Sequence, residues 1–351
     1  VTVGIGKGAA LGILFKNSTA LEQLRRVDAI VLDKTGTLTR GTPSLTDVVL
    51  SSTWSGTRQT VLLLAASAER GSQHPLGEAL VHAAESEGLA LHEPSAFEAL
   101  AGQGVRAQVD GHRVWVGSEA FMRGEGIALN GLEDEAARLR AEAKTVLWVA
   151  ADGQAIALIG AADTLKPGAA EAVGALRALG KRVIMLTGDN AMTAQAVAAA
   201  AGIERVVADV LPAEKAAAIA ALQAEGLRVA MVGDGVNDAP ALAQADVGIA
   251  IGTGTDVAIE SADVTLMRGD LRVLPQALKL SQLTIRTIRQ NLLWAFGYNV
   301  ALIPVAAGAL AILPNVPEAL AQLNPMLAAL AMAFSSVSVV TNSLRLRGER
   351  L

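Results

Sequence analysis

Five oxygen-bearing side chains in this 351-residue chain share one kind of position. Asp33, Thr187, Asp189, Asp234 and Asp238 each lie just past a short apolar run, in a turn rich in Gly, Asp or Thr. Carboxylates gathered on one rim repel one another unless a cation sits among them. An all-oxygen set of this kind suits Mg2+, which keeps several waters and takes one or two carboxylates plus substrate phosphate. The sequence has no G-x-x-x-x-G-K-[ST] loop. Phosphate would then be held by backbone N–H groups, the Thr187 hydroxyl and a lysine, for which Lys215 in LPAEK is the candidate. A carboxylate beside Mg2+ and a lysine can attack phosphorus and form an aspartyl phosphate. Asp33 is the best placed, directly after an apolar run and before a Thr/Gly-rich turn.

The elements that must position these residues follow from the apolar pattern. Val27–Leu32, Lys181–Leu186, Leu227–Val232 and Val247–Ile251 read as strands, the last running into Gly252-Thr253-Gly254. Alanine-rich stretches at 168–179, 191–201 and 213–225 read as helices between them. This alternation predicts parallel βαβ units in an α/β, doubly wound parallel sheet. Such sheets bind ligands outside the carboxyl ends of their strands, where all five residues would meet. About 110 residues, 44–153, interrupt the pattern after the first strand. With helices near 57–70 and 75–88 and strand-like HRVWVG and TVLWVA, they form a separate inserted domain. A hinged cap delivering substrate to the rim is the natural reading.

Composition narrows the class. The chain is 52% hydrophobic and 18% charged, which excludes a disordered protein. Cysteine is absent, so disulfides, thiolate metal sites and thiol nucleophiles are excluded. A net charge of −5 and only four Trp, one Tyr and five Phe give no footing for nucleic acid. Residues 291–313 and 324–344 are uncharged, and about 20 apolar residues span a bilayer core, so both read as transmembrane helices. The connection holds Pro314, Pro317 and Glu318 but no Lys or Arg, whereas Arg286, Arg289, Arg345, Arg347 and Arg350 flank the spans. The positive-inside rule then places both ends in the cytosol. A chain that opens on VTVGIGKGAALGILFKN is expected to be a fragment that starts at the cytosolic exit of an earlier helix.

Three motifs carry a resemblance. Asp33–Thr39 reads DKTGTLT, Thr187–Asn190 reads TGDN, and Gly233–Pro240 reads GDGVNDAP. In this order they resemble the phosphorylation, hinge and magnesium motifs of P-type ATPases, and Lys166 in DTLKP matches a further one. The resemblance implies a haloacid-dehalogenase-like phosphorylation domain with an inserted α+β nucleotide-binding domain and two C-terminal transmembrane helices. It assigns Asp33 as the phosphorylated nucleophile, and Mg2+ to Asp33, the Thr35 carbonyl and Asp234. Lys215 and Thr187 would hold phosphoryl oxygens, with Asn237 and Asp238 in support. SQHPL at Ser72–Leu76 resembles the SEHPL motif of the heavy-metal members. That implies ATP binding by Glu69, His74, Gly102, Gly104, Gly117 and Asp189. Ser118 stands where many members have Asn. His82, His92 and His112 read as surface residues.

The expected organisation is a stalk over 1–25, a phosphorylation domain over 26–43 and 154–275, and a nucleotide domain over 44–153. A second stalk at 276–290 leads to the two spans, and a cytosolic tail covers 345–351. Tyr298-Asn299, with Met332 and Ser336 one helical turn apart, resembles the copper(I) subclass; a thioether is a soft ligand that suits Cu(I). Zinc and cadmium members carry a lysine and an aspartate in these spans, and neither span here has a charge. The resemblance thus implies ATP-driven Cu(I) export from a multi-pass membrane protein. Its partners would be ATP, Mg2+, Cu(I) or Ag(I), the bilayer, the N-terminal part of the same protein and a copper chaperone. The alternatives are the same pump for Ag+ or Zn2+/Cd2+, and a soluble haloacid-dehalogenase-type phosphatase.

Overall fold

A computed structural model of the chain describes residues 1–234, 236–252, 256–307 and 325–349. The chain divides into two compact units. The first comprises Val1–Val31, Gly174–Arg182 and Ala213–Leu351, the second Leu32–Val173 and Val183–Pro212.

In the first unit, α1 (Thr2–Ala10), β1 (Ile13–Phe15) and α2 (Ser18–Arg26) lead into β2 (Ala29–Asp33). Asn17 caps α2 by accepting from the Ala20 N–H at 2.8 Å. The second unit then intervenes, with elements through β10. The first unit resumes with α9 (Lys215–Ala224), β11 (Val229–Gly233), α10 (Ala239–Gln244), β12 (Val247–Ile251), α11 (Asp256–Ser261) and β13 (Val264–Leu266). Its strands lie in the order β1-β13-β12-β11-β2. β11, β12 and β13 pair in parallel, from Ala230↔Val247 and Ile249↔Val264 onward, and β1 closes the edge antiparallel to β13. Every residue of β2, β11 and β12 is buried. That continuous burial explains why these strands read as unbroken apolar runs, as strands covered on both faces do. The strands expected from the sequence are present, with starts displaced by at most two residues: Val27 ends α2 in extended conformation.

Two helices close the first unit. The start of α12 (Val273–Ala306) is packed, with Leu274, Ala277, Leu278 and Leu280 buried. Ser281 Oγ donates to the Leu21 carbonyl, fixing α12 to α2. Near the far end of α13 (Pro325–Gly348), Lys7 Nζ from α1 donates to the carbonyls of Leu346 (3.0 Å) and Glu349. A lysine there satisfies carbonyls that the helix end leaves without partners. A polar clasp joins α12 and α13: Asn291 Nδ2 donates to Ser343 Oγ at 2.8 Å, and Asn342 Nδ2 to Asn291 Oδ1 at 2.9 Å.

The expected spans 291–313 and 324–344 fall partly outside the described residues, as do their connection with Pro314, Pro317 and Glu318, Asn324 itself, and Arg350. Among the described residues no helix is long and apolar enough to cross a membrane. Two reasons are visible. The uncharged part of α12 is described only to Ala306. α13 is interrupted by Ser335, Ser336, Ser338, Thr341, Asn342 and Ser343.

The second unit is built on an antiparallel sheet in the order β3-β8-β7-β6-β5-β4. Its strands are β3 (Thr39–Leu50), β4 (Ser95–Leu100), β5 (Gly104–Val109), β6 (His112–Gly117), β7 (Thr145–Ala151) and β8 (Gln154–Leu165). α3 (Arg58–Glu69) and α4 (Pro75–Ser86) cover one face, burying Val61, Leu62 and Leu80 against Val105, Val114 and Ile159. A second core, on α5 (Glu119–Gly124) and α6 (Glu133–Ala141), buries Phe121, Met122 and Leu139 with Trp148 and Leu158. β3 and β8 pair from Thr39↔Leu165 to Leu50↔Ala157. β3 runs through the domain border expected at 43/44, and β8 begins at the one expected at 153/154. After α7 (Ala169–Ala178), which runs on into the first unit, β9 (Arg182–Leu186), α8 (Ala191–Ala201) and β10 (Arg205–Val207) complete the unit, with β9 and β10 parallel.

Candidate functional site

Asp33 ends β2 and is only 4% exposed. The turn that follows it, Lys34–Leu38, is clamped from β8 and just beyond. Thr39 Oγ1 donates to Asp163 Oδ2 at 2.5 Å, the Gly41 N–H donates to Asp163 Oδ1 at 2.9 Å, and Lys166 Nζ donates to the Gly36 carbonyl. Lys34 is buried, with its Nζ 2.6 Å from Asp189 Oδ2 and 3.7 Å from Asp163 Oδ2. The Thr37 hydroxyl is buried with no hydrogen-bond partner among the described residues.

The turn after β9 supplies Thr187 and Asp189. Thr187 is buried, its N–H and carbonyl bonded to Val207 and Val210. Its hydroxyl accepts from the Asp189 N–H at 3.1 Å. Asn190 caps α8 by accepting from the Thr193 N–H at 3.0 Å, so the helix begins at this turn by the usual side-chain cap.

The first unit carries Lys215, Asp234 and Asp238. Lys215 opens α9, buried, and its Nζ donates to Asp238 Oδ1 at 2.7 Å. Asp238 Oδ2 accepts from the Asp234 N–H at 3.2 Å, and the two carboxylates have oxygens within 4.8 Å of each other. A Cβ on Gly233 would stand 2.6 Å from Asp238 Oδ2, so only glycine lets this side chain fold back under the turn. Asp238 is thus committed to the lysine and the turn, while Asp234 is half-buried. The donors here are carboxylate oxygens, the kind that suits Mg2+. Asn237 is exposed, and Gly235 of the same motif lies outside the described residues, as do Thr253 and Gly254.

A cavity of about 450 Å3 opens in the second unit, lined by Glu69, His74, Gly102, Gly104 and Gly117 among others. His74 and Pro75 start α4, the His74 Nδ1 accepting from the Leu76 N–H at 3.2 Å. Gly104 has φ +153°, and a Cβ there would stand 2.2 Å from the Val116 carbonyl oxygen. Ser118 has a structural role: its N–H donates to Gln103 at 2.8 Å and its hydroxyl caps α5 through the Phe121 N–H. Glu69 is buried and its Oε2 has no hydrogen-bond partner among the described residues. Burial raises its carboxyl above the ordinary value, against the Ser72 hydrogen bond and the His74 charge. His92 and His112 are exposed and pair with Asp110 and Asp152 at 2.5 and 2.7 Å.

In the helices, Asn299 Nδ2 donates to the Ala295 carbonyl at 3.0 Å and Ser336 Oγ to the Met332 carbonyl at 3.1 Å. Each polar group is thus satisfied within its own helix. Leu283, Gln290, Asn342 and Glu349 line one crevice of about 140 Å3, so α12 and α13 run antiparallel. Counting seven residues along each helix from the Asn291–Ser343 bond brings Tyr298 level with Ser336.

Sequence reasoning passed over Asp163, Lys34 and Thr39. Asp163 stands three residues before Lys166, and its carboxylate faces a turn more than 120 residues earlier in the chain. A buried lysine in the motif itself was the available signal, since such a charge needs a partner.

Comparison with known proteins accords with this geometry. Over 99% of its length the chain is 52% identical to the "Probable copper-exporting P-type ATPase V" of Mycobacterium tuberculosis, covering 43% of that protein. It is 50% identical to the "Silver exporting P-type ATPase" of Salmonella typhimurium, covering all of this chain and 42% of that one. The chain thus spans less than half the length of these relatives. Among solved structures, a zinc-transporting PIB-type ATPase in the E2.Pi state matches 99% of this chain and 54% of its own, with TM-score 0.86 and 36% identity. The catalytic domain of the CPx-ATPase CopB-B matches 78% of this chain and 98% of its own, with TM-score 0.56 and 29% identity. Residues 27–246, well over half of the chain, match the family described as haloacid dehalogenase-like hydrolase, and the chain belongs to that family.

Proposed function

We propose that this chain is the ATP-binding, phosphorylated and final membrane portion of a P-type pump that exports Cu(I). The observation that carries the chemistry is Asp33, buried at the end of a strand, with the following turn clamped by Asp163 and Lys166. A carboxylate oxygen of Asp33 attacks the γ-phosphorus of ATP. The bond to the bridging oxygen breaks, and ADP leaves with the electron pair. Catalysis of this kind is positioning plus electrostatics. Glu69, His74, Gly102, Gly104 and Gly117 hold the nucleotide in the cavity of the second unit. Asp189, through its pair with Lys34, orders the turn that Asp33 needs. Thr187 and Lys215 bind phosphoryl oxygens, Lys215 from its position on Asp238, and Asn237 supports the loop. Asp33, the Thr35 carbonyl and Asp234 would hold Mg2+, which when bound neutralises charge on the transferred phosphoryl group.

The ion reading rests on 48–52% identity to copper and silver exporters, against 36% to the zinc transporter. Tyr298, Asn299, Met332 and Ser336 would line the ion path, and the uncharged stretches of α12 and α13 would lie in the bilayer with both ends cytosolic. The remaining spans, and the docking of a copper chaperone, would belong to the N-terminal part of the whole protein. Moving one charge against 100 mV costs about 2.3 kcal/mol, so export needs coupling to ATP. Silver is the second reading, favoured by the 50% identity to a silver exporter. A soluble phosphatase would carry a second aspartate where Thr35 stands.

The test is labelling of the chain with γ-labelled ATP and Mg2+, beside Asp33→Asn. Label on the wild type alone, released by hydroxylamine, supports the reading. Equal labelling of both proteins overturns it. Metal-stimulated turnover of the full-length protein then separates zinc from copper and silver.

A further inference from the structure

We infer that the cleft formed by Arg25, Gln282, Arg286, Arg289, Gln290 and Leu293 binds the phosphate of an anionic phospholipid headgroup. The inference rests on the proposal above that α12 enters a bilayer. The cleft measures about 610 Å3 and is contained within the first unit. Arg25 comes from α2, and the other five residues from about three turns of α12.

Three observations converge on it. First, none of the three guanidiniums has an acidic partner among the described residues, whereas neighbouring Arg26 is paired with Glu22 at 2.6 Å. Three guanidiniums around one hollow, of which Arg286 also borders the crevice lined by Glu349, repel each other and attract an anion. Their planar donor forks match phosphate oxygens. Gln282 and Gln290 add amide donors.

Second, the cleft lies at the edge of an apolar surface. Leu293, which lines it, is 72% exposed, and Trp294, Phe296, Val300 and Ile303 are each more than half exposed beyond it. Trp294 directly follows Leu293 and is 52% exposed. Tryptophan is enriched at the headgroup level of a membrane helix. A free phosphate would use only the arginines. A lipid would also lay its acyl chains on Leu293 and the surface beyond, which is why the lipid is the chosen occupant.

Third, the cleft bridges two elements that the phosphorylation strand depends on. Ser281 Oγ bonds the Leu21 carbonyl, one turn before Arg25, and α2 passes directly into β2 and Asp33. A headgroup spanning Arg25 and Arg286 would brace α2 against α12. Lipid charge is therefore expected to alter the rate at which Asp33 is labelled.

The experiment uses the whole chain. Flotation with neutral phosphatidylcholine vesicles first tests the membrane reading alone; a chain that does not float overturns that reading. For a chain that floats, native mass spectrometry from nanodiscs of equal phosphatidylcholine and phosphatidylglycerol counts retained lipid. The expected result is enrichment of phosphatidylglycerol, reduced about fivefold for each of Arg25→Gln, Arg286→Gln and Arg289→Gln, as loss of one charge-assisted hydrogen bond to the phosphate implies. Arg286→Lys retains most of the enrichment, and Arg347→Gln, which removes the same charge outside the cleft, leaves it unchanged. Equal retention of both lipids, equal loss with Arg347→Gln, or full displacement by an equimolar amount of inorganic phosphate would each overturn the inference.

Discussion

Lys34 Nζ lies 2.6 Å from Asp189 Oδ2, so the turn after Asp33 is tied by an ion pair to the turn after β9. Lys34 is 8% exposed and Asp189 32% exposed. Removing one partner of a buried pair costs about 3–5 kcal/mol, because the other charge is stranded. Here water reaches the aspartate and Asp163 stands 3.7 Å from the lysine, which reduces the cost. Asp189→Asn is expected to destabilise the second unit by about 2 kcal/mol, half of the unrelieved figure. Denaturant unfolding of the whole chain measures this. A loss below about 0.5 kcal/mol, the range of an exposed pair, would show that Asp163 alone satisfies Lys34.

Lys215 and Asp238 make the deeper pair, with side chains 10% and 3% exposed and atoms 2.7 Å apart. Lys215→Met takes the lysine from a nearly inaccessible carboxylate and should cost about 3 kcal/mol. Adding Asp238→Asn removes the stranded charge, so the double variant should recover most of that stability. On the proposed role of Lys215 in binding phosphoryl oxygens, it should not recover phosphorylation by ATP, because that lysine is still missing. Recovery of both together would reduce Lys215 to a structural role.

Much of this was legible in the sequence, and the rest was hidden for identifiable reasons. β2, β11 and β12 are buried on both faces, so their apolar runs and following turns stand out, and with them Asp33 and Asp234. α8 announces itself through Asn190 at its start and Gly202, at φ +75°, at its end. β4 was not legible, because five of its six residues are exposed and it presents no alternation to detect. Asp163 was hidden because its role is a contact distant in the chain, and Ser118 because its capping of α5 shows only once that short helix is placed. Asn291, Asn342 and Ser343 read as blemishes in apolar stretches; only their mutual bonds reveal a clasp.

That clasp has a measurable consequence. Each hydrogen bond between helices in an apolar setting is worth about 0.6 kcal/mol, and up to about 1.7. Asn342→Ala deletes the donor to Asn291 and also the longer contact to Gln290 at 3.3 Å. It should weaken α12–α13 association by about 1 kcal/mol. A spin-label pair on the two helices near the clasp should report a broader distance distribution. An unchanged distribution would mean that Lys7, bonding the end of α13, holds the helices without it.

Gly104 tests the proposed nucleotide cavity. At φ +153° an L side chain is strained, and its Cβ would press against the Val116 carbonyl oxygen. Gly104→Ala must push β5 and β6 apart at the cavity mouth, at a cost of about 3 kcal/mol, the upper end for one strained backbone position. ATP binding to the whole chain, followed by calorimetry, should fall at least tenfold while Mg2+ is held constant. Unaltered affinity would mean that this approach of the two strands serves the sheet alone.

Glu69 gives the pH dependence its sign. Burial raises the carboxyl above its ordinary 4.5, outweighing the Ser72 hydrogen bond and the His74 charge. The folded chain therefore binds this proton more tightly than the unfolded chain does. Its contribution to stability is complete below 4.5 and is lost as pH rises through the raised value. Above that, the fold carries an ionised carboxylate whose Oε2 is buried without a partner. Glu69→Gln removes the titration, so its stability profile should be flatter than that of the wild type between pH 4.5 and neutrality, with no such divergence below. Thermal unfolding followed by tryptophan fluorescence reads this directly, because Trp54, Trp115 and Trp148 all lie in the second unit. Parallel profiles for the two proteins would show that Glu69 keeps its ordinary affinity for the proton and that water reaches its carboxylate through the cavity.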